Sequence, residues 1–338
     1  MFRIRFRAVA ALAGIAISSP AVCADLGIFE GQNDVGTVLH KGTAEFDAAR
    51  KVYQLTGSGE NMWFAQDRFY FVWKKVSGDI SITADITFPT TGGNAHKKAA
   101  LLIRQSLEAD SAYVDAALHG NGLTSLQFRE TAGANTHEIQ ANVTGPRRLR
   151  LTKQGKYVYM SVAMPGEELH PAGGAMQIEL QEPFYIGIGV CAHDKDAIES
   201  AVFGDIQIAT QLPPTKPYST IETVTVSSTD RRAIYTVPGR LESPRWLADN
   251  TIEFLRDGVT WRIPADGGTP MRAEKAEVSQ AAAPARPVSF ANGLLQMTAA
   301  DGKIAPLAHF EGGPGTVSAA PWSPDGKRVV FVSYQTLP

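Results

Sequence analysis

Cysteine is scarce: the 338 residues contain two, Cys23 and Cys191. Cys23 lies in an N-terminal stretch expected to be removed, which leaves Cys191 alone and excludes an intramolecular disulfide from the mature chain. A chain of this length buries enough apolar surface to fold without one. Charge of one sign is also lacking. The net charge is −2, which gives no electrostatic ground for a nucleic-acid partner. After the first apolar run, no segment reaches the roughly 20 apolar residues that a membrane helix needs. The sequence has no Gly-x-Ser-x-Gly elbow, no His-Glu-x-x-His and no glycine-rich strand-to-helix loop. Those absences exclude the motif-borne routes to serine hydrolysis, zinc proteolysis and nucleotide binding.

The chain opens with Arg3, Arg5 and Arg7, an apolar run over residues 8–17, a break at Ser18-Ser19-Pro20 and small residues up to Ala24. That order reads as a secretory signal, residues 1–24, with cleavage expected after Ala24. Cys23 raises a lipoprotein alternative, but Pro20-Ala21-Val22 is a poor lead-in to a lipidated cysteine.

From residue 25 to 212 the pattern has period two. Ile80, Ile82, Ala84, Ile86 and Phe88 alternate with Ser81, Thr83, Asp85 and Thr87, as in a strand buried on one side. Similar stretches fall at residues 51–56, 68–74, 99–104, 112–118, 124–130, 148–151, 157–162, 184–190 and 201–208. Gly57-Ser58-Gly59, Ser77-Gly78-Asp79, Thr91-Gly92-Gly93-Asn94, His119-Gly120-Asn121-Gly122 and Lys153-Gln154-Gly155-Lys156 supply turns between them. Short strands at this spacing, with no helical stripe, predict an all-β chain: a two-sheet jelly-roll sandwich. Residues 213–218 read as a proline-rich linker.

Residues 219–338 carry a weak repeat. Ser243-Pro244-Arg245-Trp246 leads into Thr251–Leu255, and Ala320-Pro321-Trp322-Ser323-Pro324-Asp325-Gly326-Lys327 leads into Arg328–Val332. A second unit repeats as residues 260–264 before Ala265-Asp266-Gly267-Gly268, and residues 294–298 before Ala299-Ala300-Asp301-Gly302. Between them, residues 274–287 are rich in Ala, Pro and charge and read as a loose connector.

Two resemblances follow. Trp322-Ser323-Pro324-Asp325-Gly326-Lys327, with Val329-Val330-Phe331-Val332-Ser333 behind it and Gly312-Gly313-Pro314-Gly315-Thr316 ahead, resembles the repeat of TolB-like β-propellers. That implies an incomplete β-propeller-like segment, because the middle blades are missing. The region around Thr56-Gly57-Ser58-Gly59, Asn61-Met62-Trp63, Asp67-Arg68-Phe69, Ser77-Gly78-Asp79 and Lys98–Arg104 resembles concanavalin A-like, laminin-G-like sandwiches. It implies binding of a glycan or surface polymer.

Glucanases of that sandwich fold place Glu-x-Asp-x-x-Glu on one strand. Here Glu45-Phe46-Asp47-Ala48-Ala49-Arg50 ends in arginine and reads as a hairpin turn, so no catalytic residues are assigned. A sugar site needs an aromatic face and a few converging polar groups. Trp63, Arg104, Tyr113, His119, Arg129 and His137 are the candidates, with a salt bridge at the sandwich edge the leading alternative for Arg104, whereas Trp73 is expected in the core. Asp194, Asp196 and Glu199 offer hard oxygens to calcium, the one cofactor the sequence suggests. Cys191 with His193 is short of ligands for a soft metal. The expectation is an exported, periplasmic or secreted protein of a bacterial envelope. Its sandwich would bind a carbohydrate or surface polymer, and its C-terminal strands would bind a protein partner or a second copy. A carbohydrate-active enzyme with a site not legible in sequence is the alternative.

Overall fold

The computed structural model describes residues 25–273, 279, 286–299, 301–319 and 321–337. The expected leader, residues 1–24, and most of the expected connector, residues 274–278 and 280–285, lie outside the described residues. The described chain is all-β, and its N-terminal part is a jelly-roll sandwich of two packed sheets.

The larger sheet has ten strands. In spatial order they are Gly31–Val35, Phe69–Val76, Phe184–Cys191, Lys98–Arg104, Tyr113–His119, Leu123–Arg129, His137–Thr144, Arg231–Pro238, Lys216–Thr225 and Arg328–Leu337. The second sheet runs through Tyr157–Ala163, Arg148–Gln154, Ile80–Thr87, Asp194–Ala209, Val52–Gly59 and Thr43–Asp47. Alternation decides which side chains meet between them. Ala99, Leu101, Ile103, Val114, Ala116 and Leu126 from the first sheet face Ile80, Ile82, Leu149, Leu151 and Phe203 from the second in one core. The intervening residues of the Lys98, Tyr113 and Leu123 strands point to the opposite, outer face, and they build the site described below.

Asp47 ends a strand, and its Oδ1 accepts from the amides of Ala49 and Arg50. The Glu45–Arg50 segment is therefore the hairpin that the sequence suggested.

The C-terminal strands do not stand apart from the sandwich. The strand Arg231–Pro238 joins His137–Thr144 in parallel through Ile139↔Arg231 and Gln140↔Arg232. Lys216, expected within the linker, already begins a strand of that sheet. Beneath the junction, buried Arg231 donates to Glu222 Oε2 at 2.8 Å and to the Ala175 carbonyl at 3.2 Å.

The repeated segments form antiparallel meanders. One contains Leu241–Trp246, Thr251–Arg256, Val259–Pro264 and Met271–Arg272, and the other Val288–Ala291, Leu294–Thr298 and Ile304–His309. Val330 and Val332 pack with the first meander through Trp246 and Ile252. Val329 and Phe331 pack with the second through Leu295 and Leu307. The expected Pro/Trp corners are buried, with Trp246 0% and Trp322 2% exposed. Two meanders among the described residues are fewer than the four blades that a propeller needs. The last strand is an edge, and the amides of Val330, Val332 and Tyr334 along it donate to the carbonyls of Pro321, Thr316 and Glu311. An irregular segment thus covers the edge that the sequence left open for another chain.

Candidate functional site

On the outer face of the ten-stranded sheet the register brings polar residues into rows. Lys98 pairs with His119. Asp115 lies between Leu102 and Gln127, and Gln127 pairs in turn with Glu138. Ser125 pairs with Gln140, and Tyr113 lies between Arg104 and Arg129. Small side chains, Ala100 and Ala117, leave room between the rows.

A short hairpin, Met62–Trp63 with Gln66–Asp67, folds over part of this face. Gly59 permits it. At φ +121° a Cβ there would lie 1.9 Å from the Arg68 carbonyl oxygen, so only glycine fits. Under the hairpin, Asp67 is fully buried between two arginines. Arg104 Nη1 reaches its Oδ2 at 2.6 Å, and Arg129 grips both oxygens at 2.9 and 2.7 Å. The excess positive charge is met by carbonyls of Ser106, Glu108, Ala109, Ser111 and Ala134. Both guanidinium groups also lie over the Tyr113 ring, at 5.3 and 5.0 Å.

This cluster corrects part of the sequence reading. Arg104, Tyr113 and Arg129 are each 0% exposed, and they hold loops down instead of reaching for a ligand. The Phe64 carbonyl shows the effect. It accepts from Arg129 Nε and Nη2 and from the amide and hydroxyl of Thr136. The grip fixes the tip of the hairpin with Phe64 in a left-handed conformation, φ +53°, at a cost on the order of 1–3 kcal/mol.

Beside the hairpin lies a cavity of about 250 Å³ lined by Asn61, Trp63, His96, Lys98, His119, Leu123, Gln127, Glu138, Gln140 and His193. Trp63 and His119, two of the residues singled out from sequence, therefore share one site. The Trp63 indole is half-buried, with the Lys98 ammonium 5.4 Å from its ring centre. Lys98 is anchored by Asn61 Oδ1 at 3.0 Å and the Met62 carbonyl at 2.9 Å, and burial lowers its pKa.

His119 Nδ1 lies 3.0 Å from the Leu123 carbonyl, an acceptor, so the proton sits on Nδ1. Nε2 then accepts from Gln127 Nε2 at 3.4 Å. Burial lowers the His119 pKa to about 3, so the ring is neutral at pH 7. His96 and His193 complete a row of imidazoles, the His96 ring 5.9 Å from His119 and the His193 ring 5.5 Å from His96.

In the floor, Gln127 Oε1 is buried without a hydrogen-bond partner, and beyond the lining Ser125 Oγ and both carboxyl oxygens of Asp115 are buried without one as well. Such groups are rare in folded proteins and cost free energy unless something else meets them. Burial raises the Asp115 pKa to about 8 and also raises that of Glu138, which accepts from Gln140 Nε2 at 2.6 Å.

The remaining sequence-derived residues are not drawn into this site. His137 follows the opposite parity to Glu138 and turns toward Phe128 and the C-terminal segment, where Ser228, Thr229 and Asp230 surround it. Asp194, Asp196 and Glu199 do not converge. Glu199 is bound to Lys97 Nζ at 2.9 Å, Asp196 pairs with Lys195, and Asp194 Oδ1 caps the Asp196 amide. No group of three or more His, Cys, Asp or Glu side chains suited to a metal occurs among the described residues. Cys191 is buried, and burial pushes its thiol pKa up to about 11. Trp73 is half-buried, its ring edge-on to Tyr185 at 5.1 Å and its Nε1 donating to Asn33 Oδ1 at 2.7 Å.

Lys98, Asp115, Gln127 and Glu138 were missed from sequence. The available signal was a charged or polar residue interrupting an apolar strand at the same parity as His119. Asp115 within Tyr113-Val114-Asp115-Ala116-Ala117-Leu118 is the clearest case.

No protein-family model and no curated protein matches the chain. Solved structures with similar architecture include a functionally unknown protein from Saccharomyces cerevisiae, 13% identical over 54% of this chain and 97% of that one, with a TM-score of 0.42. Another is a botulinum neurotoxin type C structure, 8% identical over 90% and 88% of the two chains, TM-score 0.31, whose cell entry depends on interaction with two ganglioside molecules. Mouse laminin α1 domains LG4–5 are 12% identical over 95% and 94%, TM-score 0.25. At these identities and scores none of them carries a functional argument.

Proposed function

We propose that this chain binds a carbohydrate, as a free glycan or part of a surface polymer, in the cavity beside Trp63. The observation that carries the reading is the meeting of a half-exposed indole with a polar floor in which Gln127 Oε1 is buried without a partner. A sugar ring offers an apolar face to the indole and hydroxyl groups to that floor. Gln127 Oε1 is suited to take such a hydroxyl, and Asn61, Gln140 and the neutral His119 add fixed polar groups around it. Export to a bacterial envelope and a protein partner for the C-terminal segment belong to the same proposal. The basic, then apolar, start of the sequence and the TolB-like repeat support them.

The test is a glycan and cell-wall polymer binding screen on the full mature chain, with reducing-sugar release followed in the same wells. Saturable binding without product is expected. An empty screen contradicts the reading. One observation favours a second reading, a glycoside hydrolase: Asp115 and Glu138 flank Gln127 on adjoining strands, and both have raised pKa values. Product accumulating with time would select that reading, since one carboxyl would then serve as acid and the other as base.

A further inference from the structure

We propose that the Trp63 cavity selects an acidic saccharide, whose anionic substituent is held by the Lys98 ammonium and the Asn61 amide. The inference rests on the saccharide reading above and adds the charge of the ligand. Lys98 lines the cavity and is only 2% exposed. A buried cation is ordinarily paired with an anion, because burial strips away its water and neutral acceptors return only part of that loss. The preceding residue shows the ordinary arrangement: Lys97, equally buried, has its Nζ 2.9 Å from Glu199.

Lys98 has no carboxylate partner among the described residues. Its Nζ donates to Asn61 Oδ1 at 3.0 Å and to the Met62 carbonyl at 2.9 Å, both neutral. The acids around it are committed, uncharged or distant. Asp67 is gripped by Arg104 and Arg129. Both oxygens of Asp115 are without a partner, and with a pKa of about 8 the group is largely protonated at pH 7. Glu138, the one acid of the lining, lies on a strand three places from that of Lys98, about 14 Å away at the usual spacing of strands. Two donors are left over at the Lys98 end. An ammonium has three N–H groups, and Asn61 and Met62 take two of them. Asn61, which also lines the cavity, has its Oδ1 taken by Lys98 and its Nδ2 left to donate. A carboxylate or a sulfate ester accepts from both through charge-assisted bonds. The ammonium lies 5.4 Å from the centre of the Trp63 ring, so an anion held there sits beside the indole that takes the sugar.

The experiment is calorimetric titration of residues 25–338 at pH 7 with matched pairs of oligosaccharides. Oligogalacturonate, oligomannuronate, hyaluronate fragments and sialyllactose are each set against their methyl esters, and carrageenan fragments against their desulfated forms. The first four pairs test a carboxylate and the last a sulfate ester. The wild type is expected to bind the acidic member of at least one pair tenfold or more tighter than its neutral counterpart. In Lys98→Met, neutral and of similar length, that ratio should fall to about one. The wild-type ratio decides the matter even where Lys98→Met does not fold. Equal affinities for the acidic and neutral members of every pair overturn the inference and leave the saccharide reading in place. A folded Lys98→Met protein that weakens both members of a pair by the same factor also overturns it, by assigning Lys98 to holding the hairpin. Failure of the wild type to bind any member, charged or neutral, removes the saccharide reading, and this inference with it.

Discussion

Asp115 shows how one residue can record a site. A carboxyl with both oxygens buried and unpartnered is unfavourable as an anion, and its pKa rises from 3.8 to about 8. The folded state therefore keeps a proton that the unfolded chain releases above about pH 4. The favourable contribution is full below that pH and is lost as pH rises toward 8. Asp115→Asn, neutral at every pH and equal in size, is expected to melt close to wild type at pH 4 and above it at pH 9. Thermal melts across that range check the sign, and parallel curves would show that the carboxyl is already satisfied. Trp63 and His119 were legible in sequence because an aromatic and an imidazole stand out in polar turns. Asp115, Gln127 and Glu138 were not. What joins them is strand register, and in sequence Glu138 sits 23 positions beyond Asp115.

At the scale of elements, the strands were the most readable feature. Alternation placed the strands that open at Phe69, Ile80, Lys98, Tyr113, Leu123, Arg148, Tyr157 and Phe184 within one or two residues of their observed starts. The short strand Gly31–Val35 and the strand His137–Thr144 escaped, because Gly31-Gln32-Asn33-Asp34 and His137-Glu138-Ile139-Gln140 mix polar residues on both faces. The hairpin over the outer face was not readable at all. Asp67 anchors it through arginines 37 and 62 residues away; from sequence, Arg104 reads first as a salt-bridge residue, without its partner, and Arg129 only as a candidate ligand residue. Their role is to set the hairpin that carries Trp63. Asp67→Ala leaves two buried guanidinium groups without their carboxylate and is expected to destabilise the fold by about 3–5 kcal/mol. Urea denaturation measures this, and a loss under about 1 kcal/mol would mean that the backbone carbonyls alone hold the arginines.

At the scale of the molecule, the composition and the change of texture near residue 212 suggested a sandwich joined by a stiff linker to a separate segment. The structure carries the larger sheet on through Arg231–Pro238, Lys216–Thr225 and Arg328–Leu337. Sequence could not show this, because a parallel pairing between residues 139 and 231 leaves no local mark. A chain ending at residue 212 would expose the free edge of His137–Thr144, the strand that carries Glu138 and Gln140 of the site. It is expected to melt at a lower temperature than residues 25–338 and to self-associate, as sizing with light scattering would show. A monomer of unchanged melting temperature would restore the picture of two independent parts.

The most direct test of the whole account is a calorimetric comparison of residues 25–338 with and without Trp63→Ala, using the strongest ligand from the glycan screen. Trp63 is half-buried on a hairpin held by its neighbours, so its removal should leave the melting temperature within a few degrees of wild type. Affinity should fall at least tenfold. Undiminished affinity in a folded Trp63→Ala protein would contradict the account, and would place any sugar site away from the cavity formed by Trp63, His119 and Gln127.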